Sequence, residues 1–143
     1  MDELIFAGRP IISGLASGTA LVSSEPISFW GGYDSRTGEI IDRRHPLSGQ
    51  NARGKVLAVP FARGSSTTTA VLLEAMRAGT APCAIITTTA DFFFALASVV
   101  ADELYGHRLA LVAVTEAIFA RMQTGDHVRI DAAGSLHIVP QPA

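Results

Sequence analysis

Phe61-Ala62-Arg63-Gly64-Ser65-Ser66-Thr67-Thr68-Thr69 follows the apolar run Gly54-Lys-Val-Leu-Ala-Val-Pro60 and opens a stretch with apolar residues at Leu72, Ala75 and Met76 before Gly79. A short continuous apolar run bounded by Gly and Pro reads as a buried strand, and the 3.6-residue spacing that follows reads as a helix over Ser66 to Ala78. Strand and helix therefore meet at Arg63-Gly64-Ser65. Gly64 lets the backbone approach a ligand closely, and the free N–H groups of the helix start face outward with the positive end of its dipole. A carboxylate or phosphate fits such a turn. Ser65 and Ser66 are helix caps on the plainest reading. They are also placed to donate to a ligand or to act as an acid–base oxygen beside Arg63.

Working outward from this unit, Cys83-Ala-Ile-Ile-Thr87 and Leu109-Ala-Leu-Val-Ala-Val114 read as further strands, and Asp91 to Leu104 as a helix opened by an acidic cap. A short helix is expected over Glu116 to Met122. Asp126 to Asp131 and Ser135 to Val139 alternate around Ala132-Ala133-Gly134, the pattern of a closing hairpin. The other end begins with short strands and turns from Gly8 to Gly14, then a strand at Gly18 to Ser23. A glycine-marked loop from Ile27 to Gly38 follows, and then a predicted strand over Glu39 to Asp42. A β-rich start and finish around a βαβα centre predict an α/β domain with a mixed or partly closed sheet and flanking helices, one domain over residues 1–143.

Composition narrows the function classes. Hydrophobic residues make up 48% of the 143 and charged residues 17%, so part of this surface is expected to meet a partner. The net charge of −2 comes with no Lys/Arg block, which removes the basis for nucleic-acid binding. No apolar run approaches the roughly 20 residues of a membrane span, and the acidic start Met1-Asp2-Glu3-Leu4 is not a leader, so a cytoplasmic protein is expected. The lone Cys83 reads as a small buried strand residue, and His45, His107, His127 and His137 lack metal-ligand spacing, so no metal site is expected on this chain. His45, after Arg43-Arg44, reads as a surface residue of a polar loop; His127 and His137 read as solvent-facing hairpin positions. Phe92-Phe93-Phe94 cannot all face one core, which sends at least one toward an interface. The Walker phosphate loop is a poor match because Ser65, not a lysine, follows Gly64.

Taken together, Ser28-Phe29-Trp30-Gly31-Gly32-Tyr33-Asp34 with Thr37-Gly38, then Gly49, Gly54-Lys-Val-Leu, Arg63-Gly64-Ser65-Ser66 and Ala81-Pro82, resemble the small subunit, or swivel domain, of the aconitase X family. The resemblance runs from about Gly8 to Gly106. It implies a swivelling β/β/α fold and a hydro-lyase active only with a large subunit, which carries an iron–sulfur cluster that this chain does not hold. In aconitases proper, the first serine of a Gly-Ser-Ser-Arg segment is the catalytic base. The matching residue here is Ser65, with Arg63, Gly64, Ser66 and Thr67 implied at the substrate and Gly32 and Asp34 as a wall of the same pocket. Thr67 stands where the carboxylate-gripping arginine would be, so substrate anchoring must differ.

The family's substrate classes are mevalonate 5-phosphate in archaea and cis-3-hydroxy-L-proline in bacteria. Ten arginines against one lysine, with abundant alanine, favour the bacterial reaction. Two rivals belong to other classes. A phosphohistidine carrier shares the swivelling architecture but needs a histidine in the turn, and Ser65 to Thr69 hold none. A non-catalytic assembly module is the other.

Overall fold

A computed structural model describes residues 2–142. Four parallel strands form its centre: β3 (Ala16–Val22), β4 (Val56–Ala58), β5 (Ala84–Thr87) and β6 (Ala110–Ala113). Every residue of β4, β5 and β6 is buried, as parallel strands covered on both faces require. The crossovers are α1 (Ser66–Ala78), from β4 to β5, and α2 (Phe92–Tyr105), from β5 to β6. Helix α1 has the predicted bounds and ends on a left-handed Gly79, while α2 starts on the Asp91 cap.

Antiparallel strands extend the sheet on both sides. β2 (Arg9–Ile12) pairs with β6, β7 (His127–Ile130) pairs with the first half of β3, β8 (Leu136–Val139) pairs with β7, and β1 (Leu4–Phe6) pairs with β8. The order is β1-β8-β7-β3-β4-β5-β6-β2. β1 and β2 are the two ends of this order, yet only Ala7 and Gly8 separate them, a link that spans at most about 10 Å. The sheet must therefore curl until its edges nearly meet, which is the mixed, partly closed sheet the sequence predicts.

Alternation along the strands builds two cores. Leu57, Ile85 and Leu111 face Leu72, Met76, Phe94 and Ala97 of the helices; Val56, Ala58, Ala84, Ile86 and Val112 face inward with Val128, Ile130, Leu136 and Ile138. Of the aromatic triplet, Phe94 is fully buried edge-on to Phe29, while Phe92 is 65% exposed, as three consecutive helical positions dictate.

Four expectations are corrected. Glu39 to Asp42 is no strand: Ile40 is tied to Gln50 and Gly49 and Ile41 to Gly32 inside the loop, leaving only isolated bridges. The third helix, α3 (Glu116–Phe119), stops early because Arg121 and Met122 donate to Ile118 and Phe119 in tight turns. Cys83 precedes β5 and is only half-buried. His45 is buried, because its loop folds back over the core and the ring finds backbone partners there.

Candidate functional site

The turn Arg63 to Ser66 leaves the carboxyl end of β4, the edge of a parallel sheet where ligands collect. Three contacts hold it. The Arg63 amide donates to the Ile27 carbonyl at 2.8 Å, and the Ala62 amide donates to Asp91 Oδ2 at 2.8 Å. One turn into α1, Thr69 Oγ1 donates to the Phe93 carbonyl at 2.9 Å. The other oxygen of Asp91, Oδ1, accepts from the amides of Phe93 and Phe94, so one buried carboxylate caps α2 and also pins the turn before α1. Asp91 was legible as a cap; its second role was not, because nothing local links it to Ala62.

At Gly64 φ is +122°, a backbone that other residues adopt only under strain. Ser65 occupies the N-cap position with φ −136° and ψ −146°, and its side chain makes no capping hydrogen bond. The backbone closes the helix start instead, through Thr68 N–H to the Ser65 carbonyl at 2.9 Å. The plain cap reading of Ser65 therefore fails: the residue is exposed, and the first-turn amides of Ser66 and Thr67 lie outside the helix ladder. Ser66 and Thr67 are exposed as well, whereas Thr68 is 1% exposed and its Oγ1 has no protein partner. That orphan hydroxyl lies 3.5 Å from where a Cβ on Gly64 would be, directly under the turn.

Arg63 also lines a cleft of about 520 Å³ with Arg43, Arg44, Asp42 and Glu25. Ser28 and the buried His45 belong to the same lining. The His45 ring is fixed: Nδ1 accepts from the Leu47 amide at 3.1 Å, which leaves the proton on Nε2, 3.4 Å from the Glu25 carbonyl. The Arg43-Arg44 pair was visible in the sequence, but the loop's return to Arg63 was not.

Gly32 is buried behind this cleft. A Cβ there would lie 2.1 Å from the Ser28 carbonyl and 3.5 Å from Asp42 Cβ, so only glycine permits the fold of the loop. Asp34 lies elsewhere. The carbonyl of its neighbour Ser35 accepts from Thr80 Oγ1 just beyond the last turn of α1, about 20 Å of helix from Ser65. Its carboxylate accepts from the Arg36 amide and guanidinium, which hold it below the usual carboxylate range. The structure brings Arg63, Gly64, Ser65, Ser66 and Thr67 together, sets Gly32 behind them, and does not bring Asp34 to the turn.

The side chains do not fit an iron–sulfur cluster. Such clusters are held mostly by several thiolates, and Cys83, at the amino edge of β5, lies at the end of the sheet opposite Ser65. Among the described residues there is also no group of three His, Cys, Asp or Glu arranged for a metal, and no helix long and apolar enough to cross a membrane.

The family model for the aconitase X swivel domain matches residues 5–138. The chain is 45% identical over 108 residues to a cis-3-hydroxy-L-proline dehydratase of Pseudomonas aeruginosa, a match covering 76% of this chain and 19% of that protein. It is 33% identical over 135 residues to a phosphomevalonate dehydratase small subunit of Pyrococcus furiosus, covering 94% of this chain and 95% of that one. It thus spans about a fifth of the first relative and nearly all of the second. The crystal structure of Thermococcus kodakaraensis aconitase X in its holo-form superposes with a TM-score of 0.84 at 31% identity, over 96% of this chain and 99% of that chain. With the curled sheet shared in three dimensions and the family model running from within β1 to within β8, the chain belongs to the aconitase X swivel domain family.

Proposed function

We propose that this chain is the cytoplasmic small subunit of an aconitase X-type hydro-lyase, completed by a large subunit, that removes water from cis-3-hydroxy-L-proline. The observation that carries the reading is the Ser65 hydroxyl, which sits at the N-cap position, engages in no cap, and belongs to a turn pinned by Asp91. In this reading Ser65 Oγ, as alkoxide, takes the proton from the carbon next to the substrate carboxylate. The amides of Ser66 and Thr67 and the charge of Arg63 stabilise its anionic form. The carbon–oxygen bond at the neighbouring ring carbon then breaks with its electron pair on oxygen, and the departing hydroxide leaves as water by taking the proton back from Ser65, which regenerates the alkoxide and leaves an unsaturated ring carboxylate. Arg63, Gly64, Ser66 and Thr67 form the substrate side of the turn, and Gly32 supports it from behind. We place the family's iron–sulfur cluster on the large subunit, since the donors of this chain do not fit one.

The near full-length match to a phosphomevalonate dehydratase small subunit favours a second reading, dehydration of mevalonate 5-phosphate. Co-expression with the large subunit and parallel assays of both substrates separate the two. Ser65→Ala is expected to lower kcat by about 10²–10⁴-fold with the complex still assembled; near-wild-type turnover would sink the base assignment. Phosphoryl relay is disfavoured, since Ser65 to Thr69 contain no histidine.

A further inference from the structure

The cleft beside Arg63 has a charge pattern that the reading above leaves unused. Its volume of about 520 Å³ lies within the range of small-molecule sites. Three guanidiniums, those of Arg43, Arg44 and Arg63, line it, and among the described residues none of the three makes an ion pair or a side-chain hydrogen bond. Surface arginines facing a common space usually find a carboxylate or an anionic ligand, because guanidinium recognises planar oxyanions in a bidentate way. The carboxylates of Asp42 and Glu25 share the same lining. Asp42 Oδ1 is occupied by the Arg44 amide at 3.0 Å, which fixes the side chain while leaving its second oxygen available.

Three positive and two negative groups leave a lining of net charge +1, with both signs side by side. A phosphomonoester that also carries a carboxylate bears close to three negative charges at neutral pH and would face Asp42 and Glu25 unfavourably. An amino-acid zwitterion presents one carboxylate and one ammonium a few ångströms apart and matches both signs at once.

We propose that this cleft anchors the charged end of an amino-acid-type substrate, Arg43, Arg44 and Arg63 taking its carboxylate and Asp42 with Glu25 its ammonium. The inference rests on the hydro-lyase reading and assigns the side chains that hold the charged groups of its substrate. Asp42 and the arginines act here by binding; the proton transfer stays with Ser65.

The test is a heteronuclear NMR titration of the chain with three probes at constant ionic strength: L-proline, cyclopentanecarboxylate, which lacks the ammonium, and inorganic phosphate. Saturable shifts in residues 42–45 and 63–66 are expected with L-proline, weaker ones with cyclopentanecarboxylate, and the weakest with phosphate. The double variant Arg43→Ala/Arg44→Ala should weaken L-proline binding at least tenfold with the fold intact, since both side chains are exposed. Asp42→Asn keeps the Oδ1 acceptor and should weaken L-proline but not cyclopentanecarboxylate. Phosphate binding more tightly than L-proline, no saturable shift at these residues, or binding unchanged in the double variant overturns the proposal. In the assembled enzyme, turnover of cis-3-hydroxy-L-proline with a KM unmoved by the double variant rejects the cleft and keeps the hydro-lyase. Binding of L-proline without any dehydration rejects the hydro-lyase reading and keeps the cleft.

Discussion

Asp91 Oδ2 accepts a 2.8 Å hydrogen bond from the Ala62 amide while Oδ1 of the same carboxylate caps α2 through Phe93 and Phe94. One buried side chain thus sets the relative position of two helix starts and of the turn carrying Ser65. Asp91→Ala should lose about 1–2 kcal/mol of stability from the cap, roughly 3–7 °C in Tm for a chain of this size. Asp91→Asn separates the two roles. Its carbonyl oxygen can still cap α2, but its NH₂ would face the Ala62 N–H, donor against donor. Calorimetry should show a smaller Tm loss for Asn than for Ala, while on the proposed hydro-lyase reading kcat of the complex with a large subunit falls in both. An Asn variant with full activity would show that the turn does not depend on this bond.

The orphan hydroxyl of Thr68 makes an opposite prediction for stability. A buried hydroxyl without a partner is destabilising by about 1–3 kcal/mol, and valine has nearly the same shape. Thr68→Val should therefore leave stability unchanged or raise it by about 1 kcal/mol, or roughly 3 °C in Tm. A fall in Tm would mean that the hydroxyl is hydrogen-bonded in solution.

How much of this was legible from residues alone divides along the range of the interactions. Helix α1 over Ser66–Ala78 and the buried strands around it follow from local periodicity, and the structure agrees with them. The curl of the sheet follows from β-rich ends on a βαβα centre. What failed depends on contacts distant in sequence. Glu39 to Asp42 has strand composition but spends its backbone groups on Gly32 and Gln50. His45 follows two arginines yet is buried by its bonds to Leu47 and Glu25. The candidate site divides the same way: the strand-to-helix turn at Gly64 and Ser65 was readable, whereas the Asp91 pin and the approach of Arg43-Arg44 to Arg63 arise only in the folded chain.

His137 ties the closing hairpin to the first strand and makes stability pH-dependent. Its Nε2 lies 2.9 Å from Asp131 Oδ2 and its Nδ1 3.1 Å from Glu3 Oε1. Asp131, first, and Glu3 raise its pKa, with Arg129 opposing, while the same contact to His137 lowers that of Asp131. A raised imidazole pKa contributes stability fully below the ordinary value of about 6.5 and loses it as pH climbs through the raised value. The depressed Asp131 contributes fully above its ordinary value of about 3.9 and loses that as pH falls through the lowered one. The pair is thus strongest between about pH 4 and 6.5. Urea melts at pH 5.5 and pH 8.5 should show the wild type more stable at the lower pH relative to His137→Gln. Equal pH dependence in the two proteins would remove His137 as the cause.

Tyr33 latches the loop behind the cleft to the far end of α1, and alkaline titration should report it. Its hydroxyl donates to the Thr80 carbonyl at 2.7 Å and its ring stacks on Phe29 with centroids 4.7 Å apart. Burial pushes its pKa well above that of a free phenol, because the charged form would have to exist in the core. The neutral hydroxyl is the stabilising form. Its contribution is complete below about pH 10, the value for an unfolded tyrosine, and is lost as pH rises from there toward the raised value. Tyr33→Phe should lose about 1 kcal/mol at pH 7 with the hydrogen bond and should show a shallower loss of stability between pH 10 and 11.5 than the wild type. Chemical denaturation followed at pH 7, 10 and 11.5 makes the comparison. Parallel curves for the two proteins would mean that the Tyr33 hydroxyl reaches solvent and does not hold the loop to α1.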